Sequence, residues 1–205
     1  MNGRTRRTDN EQTIQHSLTH SLNQSINQVG GVDTVKGVAA LLASPEHGAM
    51  VDAGKVVGLG ASYGGFTSNW LNGHAPKGMF KALVCHCGTF DLRSSYWATE
   101  ELFFMETEFG GPACAAASRA PESPYSVFTP SAKVADWKTP TLVIHGAKDY
   151  RLVESEGIAT FTALQRQGVP SELLYLPSEN HHCLNPQNSM VWHEAVLGWI
   201  KRWCE

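Results

Sequence analysis

The stretch Gly60-Ala61-Ser62-Tyr63-Gly64-Gly65 constrains this chain more than any other. It follows a short apolar run, Lys55-Val56-Val57-Gly58-Leu59, and leads into a helix-compatible segment beginning at Phe66. That order predicts a strand, a sharp turn and a helix, with Ser62 at the apex and its hydroxyl held above a sheet. Such a turn is too tight for side chains at its flanks, so Gly60 and Gly64 are both expected to be sterically required. The backbone N–H of Tyr63, opening the helix, would point at a developing oxyanion.

The rest of the chain supplies alternating strands and helices. Strands are expected at Val56–Leu59, Lys81–His86, Thr141–His145 and Glu172–Leu176. Helices are expected at Asp33–Ala43, from the elbow to about Asn72, at Thr99–Glu108, Glu154–Gln167 and Ser189–Trp203. An Ala/Pro/Ser-rich excursion runs from Gly110 to Pro130. Strands alternating with helices give an α/β class with a parallel sheet and crossover helices. Sites in such sheets lie at the carboxyl ends of the strands.

Three strand-end loops carry matching chemistry. Ser62 follows the first strand, Asp149 the third and His181 the fourth, in the order Ser…Asp…His. A serine hydroxyl is a poor nucleophile, so a histidine must take its proton, and a carboxylate must hold that histidine in the right tautomer. On the residues alone, His182 competes with His181. Cys85, His86, Cys87, His145, His181, His182 and Cys183 could suggest zinc, but no C-x-x-C pair is present, and no metal or other cofactor is expected.

The formal net charge is −3 and no basic patch stands out, which argues against nucleic-acid binding. No apolar run approaches a membrane span, and the first residues lack the apolar core of a signal peptide. Five cysteines are an odd number without framework spacing, so a disulfide scaffold is not expected. A hydrophobic content of 42% suffices for one sizeable core.

Residues 1–29 read differently from the rest. A tetrad repeat runs over residues 12–28, and every residue from His16 to Gln28 can be encoded by CACT repeats running into CAAT repeats. We read the segment as low-complexity and disordered, and as a candidate for translated simple-sequence DNA. Residues 30–205 are then the folded part.

Several motifs carry a family resemblance over about residues 30–205. They are Gly58-Leu59-Gly60-Ala61-Ser62-Tyr63-Gly64-Gly65-Phe66 with Asn69-Trp70, then Lys81–His86, Thr99–Phe104 and Glu108–Pro112. Asp149-Tyr150-Arg151, Glu179-Asn180-His181 and Asn188–His193 complete the set. With these the chain resembles the catalytic domain of the prolyl oligopeptidase family, and within it the dipeptidyl-peptidase V branch, with acylaminoacyl peptidases as kin. The resemblance implies an α/β-hydrolase fold, of which this chain holds the carboxyl-terminal part of the sheet. It implies a serine peptidase acting on short peptides, with His181 rather than His182 in the triad, and, for the fungal branch, secretion. The family's amino-terminal β-propeller, its earlier hydrolase strands and the loop giving a second oxyanion donor have no counterpart in these residues. Cys87 stands where an acidic residue is usual, and His182 where an aromatic is usual. The expectation is therefore a chain that is unstable and weakly active or inactive by itself. A carboxylesterase or lipase with the same triad, and a catalytically dead binding partner, are the competing functions.

Overall fold

A computed structural model describes residues 30–205. The expectations for residues 1–29 lie outside the described residues. Residues 30–43 form α1. Then come β1 (Val57–Ala61), α2 (Tyr63–His74), β2 (Ala82–His86), α3 (Leu92–Ala98) and α4 (Leu102–Phe109). A short helix α5 (Pro124–Val127), β3 (Thr141–Gly146), α6 (Glu154–Arg166), β4 (Ser171–Leu176) and α7 (Pro186–Cys204) complete the chain. The four strands form one parallel sheet in the order β1-β2-β3-β4.

The sheet's interior follows from its composition. β2 and β3 are mostly apolar, and every residue in both is buried, as strands covered on both faces must be. Side chains alternate between two cores. Ala82, Val84, Leu142 and Ile144 pack with Val196 and Trp199 of α7 on one face. Leu83 packs with Leu71 and Phe80, and Val143 with Trp137 and Leu164, which face α2 and α6. This is the period-two alternation of a strand, resolved onto two helical layers.

All four expected strands and all five expected helices are present, with shifts of a few residues at their ends. Two features differ. Residues 92–98, unassigned from sequence, form α3, capped by Asp91, whose Oδ1 accepts the N–H groups of Arg93 and Ser94 at 2.9 and 3.0 Å. The excursion to Pro130 is packed rather than loose: Tyr125 is fully buried and its hydroxyl donates to the Gly111 carbonyl at 3.0 Å.

Among the described residues β1 pairs only with β2, so its outer edge is open. Leu59 on it is 51% exposed. The strand that carries the elbow is therefore an edge strand here, as expected for part of a larger sheet.

Candidate active site

The site assembles at the carboxyl ends of the strands. β1 runs through Ala61 into Ser62, which takes φ 58° and ψ −119°. A non-glycine residue in that region is strained, and such strain persists where the surroundings hold it. Here the Ser62 N–H donates to the His86 carbonyl at 3.0 Å, and the Ser62 carbonyl accepts the Phe66 N–H at 2.9 Å. The turn is thus anchored to β2 behind it and to α2 ahead of it.

The steric reading of the elbow needs correction at one position. A Cβ on Gly60 would lie 2.0 Å from the Gly64 carbonyl oxygen, so Gly60 is required. A Cβ on Gly64 would meet nothing within 4 Å, because its Cα faces open space at the start of α2. The second requirement falls instead on Gly65, where a Cβ would lie 2.5 Å from the His86 carbonyl oxygen and 2.7 Å from the Gly88 Cα.

Ser62, Asp149 and His181 come together. His181 Nε2 is 2.8 Å from Ser62 Oγ, and His181 Nδ1 is 2.8 Å from Asp149 Oδ2. Asp149 is 2% exposed. Its Oδ1 accepts the backbone N–H groups of Arg151 and Leu152, each at 2.9 Å. Burial pushes the Asp149 carboxyl up, but hydrogen bonds from His181, the Leu152 N–H and the Cys87 thiol outweigh it and hold the carboxyl below its ordinary value. An ionised Asp149 fixes the Nδ1–H tautomer of His181 and leaves Nε2 as the base facing Ser62. His182 is exposed, and its N–H is held by Asn180 Oδ1 at 2.8 Å, so it stays outside the chain of contacts.

The loop bearing His181 is fixed from below by Glu179. This buried carboxylate accepts the Leu184 N–H at 2.8 Å and the Asn188 side-chain amide. The Asn188 contact first, then the Leu184 N–H, keep its pKa low. Gly146 at the end of β3 lets the two loops cross: a Cβ there would lie 2.4 Å from the Asn180 carbonyl oxygen.

Tyr63 is the first residue of α2, directly after Ser62, so its N–H has no carbonyl four residues earlier within the helix. The oxyanion role expected of it from sequence would use this N–H. Beside Ser62 opens a pocket of about 290 Å³, lined by Tyr63, Phe66, Phe104, Met105, Phe109 and Leu152 among others. Its rim is tied to the Asp149 loop. The guanidinium of Arg151 donates to Glu100 at 3.0 Å and to Glu101 at 2.9 Å, and Arg151 lies over the Phe104 ring.

Glu156 escaped the sequence reading, and the contacts of Cys87 and His145 were not foreseen. Glu156 on α6 accepts the N–H groups of Phe90 and Asp91 at 2.8 and 2.9 Å, and the Ser94 hydroxyl. Cys87, just past the end of β2, has φ 46°; its thiol donates to the His181 carbonyl at 3.9 Å and lies within 4.8 Å of an Asp149 carboxylate oxygen. Burial first, then the Asp149 charge, push that thiol's pKa far up, so it stays protonated. In sequence it stood out within Cys85-His86-Cys87 as a suggestion of metal and as the residue in place of the family's usual acid, but neither reading placed it beside Asp149. His145, fully buried, has Nε2 2.6 Å from the Leu152 carbonyl and 3.7 Å from Asp149 Oδ2.

A model of the prolyl oligopeptidase family matches residues 14–205. The chain is 47% identical over 154 residues to dipeptidyl-peptidase 5 of Schizosaccharomyces pombe, covering 75% of this chain and 22% of that protein. It is 42% identical over 153 residues to dipeptidyl-peptidase 5 of Porphyromonas gingivalis, covering 75% and 22%. Among solved structures, it superposes on acylaminoacyl peptidase of Pyrococcus horikoshii with a TM-score of 0.73 at 19% identity, over 84% of this chain and 27% of that one. For dipeptidyl peptidase 4 of Porphyromonas gingivalis the TM-score is 0.68 at 18% identity, over 84% and 22%. The structural likenesses show the fold, the α/β-hydrolase arrangement in the part of the sheet this chain spans. The chain spans about a fifth of the length of the curated relatives it matches.

Proposed function

The chain belongs to the prolyl oligopeptidase family, and from that premise we propose that it carries the catalytic part of a serine peptidase that releases dipeptides from the free N-termini of short peptides. The observation that carries the reading is the continuous relay Ser62–His181–Asp149, with both contacts at 2.8 Å. The names of the relatives support the dipeptidyl specificity.

The chemistry follows from the relay. His181 Nε2 takes the Ser62 hydroxyl proton as Oγ bonds to the scissile carbonyl carbon. The carbonyl oxygen becomes an oxyanion that accepts from the Tyr63 N–H. The imidazolium, stabilised by Asp149, then gives its proton to the departing amine, and the C–N bond breaks to leave an acyl group on Ser62. Water repeats the sequence, with His181 as base, and frees the acid. The apolar pocket beside Ser62 takes the side chain preceding the scissile bond.

The same proposal places the catalytic part in residues 30–205 and includes secretion, as the resemblance to the fungal branch implies. The described residues offer one oxyanion donor, and losing a second typically costs on the order of 100- to 1000-fold in rate. The chain alone is therefore expected to be strongly attenuated. A fluorophosphonate probe with the adduct read by mass tests the reading. Any adduct should form slowly on Ser62 and vanish in Ser62→Ala and His181→Ala. Labelling of the chain at a rate unchanged by His181→Ala would overturn it. Hydrolysis of short acyl esters with none of a dipeptidyl amide would replace the peptidase by an esterase.

A further inference from the structure

Behind the triad carboxylate lies a set of groups that peptide hydrolysis does not use. Cys87, His145 and Asp149 each present one donor atom, all three are buried, and these atoms lie within 4.8 Å of one another. They come from three places in the fold: just past the end of β2, near the end of β3 and the loop that follows it. His145 Nε2 and Asp149 Oδ2 are already 3.7 Å apart. Bonds of about 2.0–2.3 Å to a tetrahedral ion put neighbouring ligand atoms roughly 3.3–3.7 Å apart. The thiol therefore has to close in by only about 1 Å on that geometry. A thiol, an imidazole and a carboxylate are together a donor set for zinc or another soft divalent ion.

Two features single the cluster out from an ordinary buried corner. Cys87 holds a left-handed backbone conformation, φ 46°, that a cysteine adopts at a cost, and its thiol lies within 4.8 Å of the His145 and Asp149 donor atoms while it donates to the His181 carbonyl at 3.9 Å. The His145 ring is only half served by the protein: Nε2 meets the Leu152 carbonyl, while Nδ1 is buried with no hydrogen-bond partner. Moving its proton from Nε2 to Nδ1 would free an Nε2 lone pair, which a turn of the ring away from the Leu152 carbonyl would bring to an ion beside Asp149.

We propose that Cys87, His145 and Asp149 form an inhibitory site for a soft divalent cation such as Zn2+, which captures the triad carboxylate. On binding, the Cys87 thiol gives up its proton to solvent, His145 exchanges its contact with Leu152 for the ion, and one Asp149 oxygen turns from His181 Nδ1 to the ion. The fourth position is left to water. Entry is past His181, whose side chain touches Asp149 and keeps 14% of its surface exposed. With Asp149 engaged, His181 loses the acceptor that fixes its tautomer, and the Ser62 proton has no oriented base. That consequence rests on the peptidase reading; the binding itself does not.

The test is a Cd2+ titration of the 205-residue chain, reduced with a phosphine, following the ultraviolet thiolate-to-cadmium charge-transfer band. Zn2+ affinity is then measured against a chromophoric chelator. The expected result is a band saturating at one equivalent and removed by competing Zn2+. Cys87→Ser should abolish it and weaken Zn2+ binding roughly 100-fold or more, and Asp149→Asn at least about 10-fold. Cys114→Ser, Cys204→Ser and Ser62→Ala should leave both unchanged. No band, or a band that survives Cys87→Ser, overturns the site. Should Cys87→Ser lose its far-ultraviolet circular dichroism, Asp149→Asn decides, and unchanged Zn2+ affinity in that variant overturns the proposal. Neither readout needs turnover, so an inactive triad would sink the peptidase reading and leave the metal site standing.

Discussion

A Cβ placed on Gly60 would sit 2.0 Å from the carbonyl oxygen of Gly64, whereas a Cβ on Gly64 would touch nothing. The two elbow glycines are therefore unequal partners in one close approach. Gly60→Ala must push the strand away from the first turn of α2, because the obstacle is backbone. Overpacking of this kind costs about 1–3 kcal/mol, and more when the neighbour is backbone. Gly64 is already helical, so Gly64→Ala should be neutral or stabilise by about 0.4–1 kcal/mol through the unfolded chain. Urea unfolding of the two variants checks this, and equal destabilisation would contradict it.

Asp149 ties the Ser62–His181–Asp149 relay to acid stability. Its folded pKa lies below its ordinary value, so the carboxylate contributes stability that is fully present above the unfolded pKa of about 3.9. That contribution is lost as pH falls through the folded pKa. Asp149→Asn keeps the shape but lacks the charge. The gap in urea midpoint between the natural chain and this variant should be widest near neutrality and narrow below pH ~4. A gap that stays constant from neutral to acid pH would show that Asp149 is not held by charge-assisted bonds. The same change in a triad of this kind lowers turnover on the order of 10⁴-fold, through the wrong imidazole tautomer.

The elbow and the meeting of Ser62, His181 and Asp149 were legible because each depends on residues within a few positions of a strand end. Ser62, Asp149 and His181 each carry a local signal, and the sheet topology brings the three loops together without further information. Glu156 has no such signal. In sequence it is an acid in the first turn of a helix, the ordinary place for one, yet it is 2% exposed and serves donors 62 to 66 residues away. α3 was missed for a related reason. Its seven residues include two serines and two aromatics, a weak helical pattern, and its cap at Asp91 gains meaning only once Glu156 has fixed the backbone ahead of it. Gly64 misled in the opposite direction: the motif pairs it with Gly60, while the close packing falls on Gly65.

Glu156 can be tested directly. Its carboxylate is the acceptor for two backbone N–H groups and a hydroxyl in a place closed to water. Glu156→Ala leaves those donors stranded, at roughly 1–3 kcal/mol for each that finds no substitute. A loss of about 3 kcal/mol is expected. Glu156→Gln keeps one acceptor oxygen and should recover part of it. If Glu156→Ala unfolds at the same urea concentration as the natural chain, the carboxylate is not the anchor of the segment from Phe90 to Ser94.

Leu152 offers a way to separate the pocket from the relay. Its backbone N–H holds Asp149 and its carbonyl meets His145, while its side chain is half-buried in the wall of the pocket beside Ser62. A substitution there alters the wall and keeps both backbone contacts. Leu152→Trp adds bulk to a space of about 290 Å³. Under the peptidase reading, it should spare substrates with alanine before the scissile bond and penalise those with phenylalanine, since pocket fit of this kind is worth about 1–3 kcal/mol, or 10- to 200-fold. The readout is the ratio of kcat/KM for the two substrates, compared between variant and natural chain in whichever form of the protein turns over. The Ser62 adduct with a small fluorophosphonate should form at the natural rate in both. A ratio unchanged by Leu152→Trp would mean that the substrate side chain lies elsewhere. A slowed adduct would mean that the substitution had disturbed Asp149 through the backbone it shares with Leu152.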